Sequence, residues 1–273
     1  MNSISGVPSL NVTNMKLAAV FLMVLDHVHQ MFQPLGAPLW LTWLGRPVLI
    51  MFLFTLAEAF YHTTDRKKLL LRLLLASLFM QTGTFILSII LPNEQVELFN
   101  NAFATLFITA LYMLFWDLCQ EGRRTGKPAK TAFAVALSFL PVLAAIPVIS
   151  VVYMGFLENV GFRYDWLYLL IFWAVSLLPN ILTVEGGPVI ILLGVLFYIF
   201  RERRSNQALA LVIISALLFF FYHDEARQWL MVLAIIPIYL YNGEKGRGLK
   251  YFFYIFYPAH IFLLYIAATL TAT

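Results

Sequence analysis

The side chains able to do chemistry in this chain are few, and most sit in apolar runs. Asp26 and His27 are adjacent past the middle of Met15–Phe32, MKLAAVFLMVLDHVHQMF. Arg46 comes one short turn later, and Tyr257 and His260 lie in the last apolar run. A charge deep in a bilayer costs a few kcal/mol on insertion scales, so a chain that keeps one there has a use for it. A neutral imidazole can take a proton from an attacking amine or hydroxyl. A buried carboxylate needs a cation, and Arg46 is the nearest to Asp26 along the sequence. Asp26 and His27 point about 100° apart on a helix, so Asp26 is a poor partner for its own neighbour. We therefore expect Asp26 to pair with Arg46, and His27 to face a cavity as the catalytic base. The plainer alternatives are that Asp26–Arg46 only fixes two helices, and that His27 or His260 makes an ordinary interhelical hydrogen bond. His29 faces nearly the opposite way from His27 and is left out of the site.

Two further groups carry a double reading. Glu58 and His62 are one helical turn apart and resemble half a metal site. A zinc site wants at least three protein ligands. Nothing nearby supplies a clear third, so no metal is expected and a helix-end polar pair is the plain reading. Arg66, Lys67, Lys68 and Arg72 form one basic cluster, and Arg201, Arg203 and Arg204 a second. Membrane orientation alone accounts for loop cations. They would also serve as a cytoplasmic clamp for a phosphate-rich cosubstrate. Arg72 stands out because it lies about a turn inside an apolar run.

The elements that must position these residues are hydrophobic. The chain is 62% hydrophobic and 12% charged, with mean hydropathy +0.84, whereas a soluble domain is nearer half apolar and a quarter charged. With many apolar runs near 20 residues, this predicts an all-α polytopic membrane bundle of about nine or ten helices. Ten-residue alternating segments, the mark of a membrane β-barrel, are missing. The apolar runs are 15–32, 39–62, 69–91, 99–119, 131–153, 164–182, 188–200, 206–222, 228–241 and 251–270, with a mixed turn over His223–Arg227. No stretch is polar enough for a separate soluble domain, so 1–273 reads as one domain. The first run lacks the charged lead and cleavage site of a signal peptide. The single Cys119 excludes an internal disulfide. The net charge of +4 comes from short loops and does not imply nucleic acid.

Loop charge also predicts orientation. The loops with Arg66–Lys68, Arg123–Lys130 and Lys245–Lys250 should be cytoplasmic, Glu94 and Glu97 external, and the N-terminus inside. The Arg201–Arg204 loop fits inside only if 154–200 crosses once, with one segment, near 166–182, re-entrant or interfacial. Two full crossings are the alternative. No internal repeat is visible. Helix rise then converts position into depth. His27 lies ~18 Å above Met15, Arg46 ~24 Å above His62, and Tyr257 and His260 roughly 9 and 13 Å above Tyr251. Asp26, His27, Arg46, Tyr257 and His260 can meet near mid-membrane.

Four blocks carry a family resemblance: LAAVFLMVLDHVHQMF, then WLGRPVLIMFLF with YHTTDRKKLLLRLL, then GPVIILLGVLFYIFRERR, and finally FFYIFYPAHIFLLYIAATL. In this order they resemble the signature blocks of TraX-like membrane proteins. The resemblance implies an acetyltransferase of the bacterial inner membrane. The best-known member acts in conjugation and acetylates the N-terminal amine of pilin. The family is similar to transmembrane acyltransferases, which take acetyl from cytoplasmic acetyl-CoA and use a histidine of the first span. By position that role falls on His27, while Asp26, Arg46, Tyr257 and His260 match other buried polar positions. Acetyl-CoA phosphates cannot enter lipid, so the basic clusters would hold them while the pantetheine arm reaches ~15 Å inward. Arg46 or Tyr257 would stabilise the oxyanion. Direct transfer and an acetyl-imidazole route are both open. The expected partners are acetyl-CoA, a pilin-like peptide or glycan acceptor, and the bilayer. The rival readings are a proton-coupled transporter and a non-catalytic pilus or secretion assembly protein.

Overall fold

The computed structural model describes residues 9–157, 166–222 and 227–272. The start of the expected 164–182 run and residues 223–226 of the His223–Arg227 turn lie outside the described residues. Among those described, seven helical stretches are long and apolar enough to cross a membrane: 12–35, 40–62, 66–90, 102–124, 128–153, 204–221 and 251–271. Three shorter apolar helices, Trp166–Ser176, Gly187–Ile199 and Gln228–Leu240, complete ten apolar segments, in keeping with the expected helical membrane bundle.

The chain forms two compact units. The first holds α1 (Val12–Phe32), α2 (Trp40–Gly45), α3 (Val48–His62), the 91–98 segment and the chain from residue 196 onward. Asn11 caps α1 by accepting the Asn14 amide at 2.9 Å. A single 3-10 turn, Gln33–Leu35, then closes on Gly36, whose φ of 90° suits glycine. The sequence suggests one continuous run over 39–62, but the structure breaks it at Arg46-Pro47. Pro47 has no N–H to continue the helix and instead opens the next one. Helix α3 is the centre of this unit, burying Val48, Ile50, Met51, Leu53, Phe54, Leu56, Ala57 and Phe60. Phe54 meets Phe197 and Tyr241 edge-on at 5.9 and 5.4 Å, and Phe60 meets Tyr198 at 5.4 Å. The end of the chain supplies α11 (Arg204–Phe221), α12 (Ile235–Leu240) and α13 (Lys250–Ala272). The stretch before α12, Gln228–Ala234, is a 3-10 helix rather than part of an α-helical span. Pro237 crowds the carbonyl four residues back, which disfavours an α-turn there.

The second unit holds α4 (Arg66–Ile90), α5 (Ala102–Arg124), α6 (Pro128–Ser138), α7 (Leu140–Leu143), α8 (Ala145–Leu157), α9 (Trp166–Ser176) and most of α10 (Gly187–Ile199). Helix α5 packs on α4 and α6, and buries Ala104 and Ile108 against Val184 and Ile191. Asn101 caps α5 and donates to the Ser77 carbonyl of α4 at 3.1 Å. Pro141 and Pro147 lie just past the breaks that divide 128–157 into α6, α7 and α8. Helices α9 and α10 span only about 17 and 20 Å at helical rise, short of a hydrocarbon core of about 30 Å. That length suits the expected re-entrant or interfacial segment.

Candidate functional site

The site is built on α1 and α13 of the first unit, and backbone bonds fix how the two helices start. Leu10 pairs in parallel with Tyr241. Its amide donates to the Leu240 carbonyl at 2.8 Å, and the Asn242 amide donates to the Leu10 carbonyl at 2.9 Å. The Val12 amide reaches the Glu244 carbonyl at 2.9 Å, and the Thr13 hydroxyl donates to the Lys245 and Arg247 carbonyls. The segment that leads into α13 is thus tied to the first turn of α1. The two helices leave that tie as packed neighbours.

Further along the same contact, His27 and His260 meet. His27 Nδ1 lies 2.7 Å from His260 Nε2. The ring centroids are 4.9 Å apart and the planes 29° from parallel, so the rings meet edge to edge. Nδ1 of His260 donates to the Phe256 carbonyl at 2.8 Å, one turn earlier on α13. The Phe256 ring stacks on His260 at 4.9 Å. Tyr257 presents its ring edge-on to both imidazoles, 6.5 Å from His27 and 5.8 Å from His260. All three side chains are buried. The interhelical bond that the sequence allows for His260 therefore exists, and its partner is His27 itself.

Asp26 turns to a separate network. Arg46 Nη2 donates to Asp26 Oδ1 at 3.0 Å and to Thr42 Oγ1 at 2.6 Å, and Thr42 Oγ1 donates to Asp26 Oδ1 at 2.5 Å. Arg46 Nε donates to the Thr42 carbonyl at 3.0 Å, and Nη1 to Gln228 Oε1 at 3.0 Å. The expected Asp26–Arg46 pair is thus present and richly bonded. Gly45 makes it possible, because a Cβ there would land on the Asp26 carboxyl. Arg46 commits three nitrogens to this network. His29 bonds the Ala37 carbonyl at 3.0 Å and holds the turn after α1.

The remaining candidates fall elsewhere. Glu58 and His62 approach only to 4.0 Å, and the Tyr241 hydroxyl donates to Glu58 at 3.4 Å. Arg201 stacks on Tyr61 and Tyr198, at 4.4 and 4.9 Å from their centroids. Arg204 packs on Tyr241 and donates to its carbonyl. Arg203 is exposed. In the second unit, Arg66 pairs with Asp117 at 2.6 Å, and Lys68 with Asp65 at 2.9 Å. Lys67 is exposed, and Arg72 bonds back to the Lys68 carbonyl at 3.1 Å. Sequence reasoning missed Thr42, Gln228 and the Phe256 carbonyl. Thr42 is four residues before Arg46 and so shares its helical face, a readable signal. Gln228 has no such signal, lying 182 positions from Arg46.

The TraX protein family model matches residues 11–268, which takes in both networks. The chain belongs to the TraX family. Its TraX relatives include a curated protein, the probable fimbrial assembly protein FimC, serogroup H1, of Dichelobacter nodosus. The two are 27% identical over 268 residues, covering 92% of each chain. No solved structure gives a significant match to this TraX chain.

Proposed function

We propose that this TraX-family protein is an acetyltransferase of the bacterial inner membrane. It moves acetyl from cytoplasmic acetyl-CoA to an amine, a pilin-like or other peptide N-terminus, or to a hydroxyl acceptor. The observation that carries the reading is the buried imidazole pair, His27 and His260, bonded at 2.7 Å beside Tyr257. The neighbouring charges, Asp26 and Arg46, satisfy one another apart from it. Locking two helices needs one hydrogen bond. An imidazole nitrogen backed by a second ring and beside a tyrosine ring suits proton transfer at a carbonyl.

Acetyl-CoA supplies the acetyl group as an activated thioester. His27 takes the proton of the attacking amine as the new N–C bond forms. Tyr257 donates to the oxygen that gains charge. As the C–S bond breaks, His27 returns that proton to the departing sulfur. Exposed Arg203, and the guanidiniums that Arg201 and Arg204 lay on tyrosine rings, suit the phosphates at the cytoplasmic end. The fimbrial assembly name of the relative fits a pilus subunit as the acceptor.

A second reading, pilus or fimbrial assembly without catalysis, is favoured by one observation: His27 is only 4% exposed. The test uses purified protein in lipid nanodiscs with labelled acetyl-CoA and paired peptides, one with a free N-terminus and one blocked. The acetyltransferase reading expects label only in the free peptide. Label in neither peptide, nor in a glycan acceptor, leaves the assembly reading. Proton-coupled flux without CoA in liposomes would favour a transporter instead.

A further inference from the structure

The hydrogen bonds around the imidazole pair constrain where its protons sit. A carbonyl oxygen only accepts, so the bond from His260 Nδ1 to the Phe256 carbonyl puts a hydrogen on His260 Nδ1. A neutral imidazole carries one N–H, which makes His260 Nε2 an acceptor. The atom 2.7 Å from that acceptor is His27 Nδ1, which must therefore be the donor. With both rings neutral, His27 carries its proton on Nδ1 and bears its lone pair on Nε2. The opposite order would need a doubly protonated His260, a bare charge in an apolar site. Asp26, the acidic side chain next to His27 in the chain, is already engaged by Arg46 and Thr42.

We infer that His260 is a positioning residue that fixes His27 in the Nδ1–H tautomer and so makes Nε2 the reacting base. The Phe256 carbonyl anchors the arrangement, and the Phe256 ring, stacked at 4.9 Å, holds the plane of His260. The logic is that of an orienting partner behind a general base, with an imidazole and a peptide carbonyl in place of a carboxylate. When Nε2 takes up a proton, the added charge spreads through the Nδ1–H bond into His260, and through it to the carbonyl dipole. This role deepens the acetyltransferase reading and rests on it for the use made of the tautomer. The tautomer assignment itself does not need that reading.

The experiment is nitrogen NMR on the full chain in nanodiscs, labelled at histidine, with the His27 signals assigned from the His27→Gln variant. The expected wild-type pattern is a protonated Nδ1 and an unprotonated Nε2 at His27. An Nε2–H tautomer in the wild type would overturn the inference without recourse to any variant. His260→Phe keeps ring volume and the stack on Phe256 while removing the acceptor. It should mix the His27 tautomers and lower kcat on the order of a hundredfold with KM little changed. His260→Gln, whose carbonyl oxygen can accept the same bond, should recover part of both. An unchanged tautomer and kcat in a folded His260→Phe would also overturn it. If the wild type shows the tautomer but no acetyl transfer with any acceptor, the proposed function fails while the tautomer assignment stands.

Discussion

His27 and Asp26 are neighbours in sequence yet belong to different networks, and the roughly 100° between them on α1 is the reason. One faces α13 and shares a proton with another ring. The other faces α2 and neutralises a guanidinium. Asp26 and Arg46 each retain about a fifth of their side-chain exposure, 21% and 21%. Removing one partner leaves an uncompensated charge in apolar surroundings, whereas removing both does not. Arg46→Met should therefore destabilise by about 2 kcal/mol, discounted for that exposure. Combining it with Asp26→Asn should restore much of the loss. Thermal unfolding of the single and double variants in detergent reads both effects; a double variant as weak as the single would show that charge is not the cause. The Asp26–Arg46 pair could be read from sequence because a buried carboxylate demands a cation and a short turn brings one close. The His27–His260 bond joins residues 233 positions apart. Only shared depth hinted at it, and depth does not say which helices touch.

At the scale of elements, close approach and capping decide the geometry. Gly45 lets α2 lie against Asp26, so Gly45→Ala should push the two helices apart. The expected cost is about 1–3 kcal/mol by overpacking, measured as a lowered Tm, with Gly45→Ser at least as severe. A harmless Gly45→Ala would mean that the α1–α2 contact is not tight. Helix α4 offers a pH test outside the membrane. The Asp65 carboxyl accepts the Lys68 amide at 3.0 Å, and that bond, helped by the Lys68 side chain, holds its pKa below the ordinary value. A lowered pKa means that the cap is present above the ordinary carboxylate range and is lost as pH falls through the lowered value. The protection factor of the Lys68 amide should fall over that acidic window, and Asp65→Asn should flatten the dependence. Boundaries were the part of these elements least visible in sequence. The 39–62 run reads as one helix because Gly45-Arg46-Pro47 interrupts its hydrophobicity for only three residues. The 3-10 turn over Gln228–Ala234 has the same apolar composition as a span.

For the whole molecule, composition alone gave the class: apolar runs of membrane length can satisfy their backbone only as helices. The family membership spans 11–268 and so extends over both units. Chemistry is a claim of a different kind, because buried polar groups serve structure as readily as catalysis. The direct test monitors thiol release from acetyl-CoA by the full chain in nanodiscs, with and without a peptide bearing a free N-terminal amine, for wild type and for His27→Gln. Peptide-dependent release by the wild type should fall by at least about a hundredfold in the variant, with Tm held. Equal release by the two proteins, or none by a folded wild type with any amine or hydroxyl acceptor, would contradict the account.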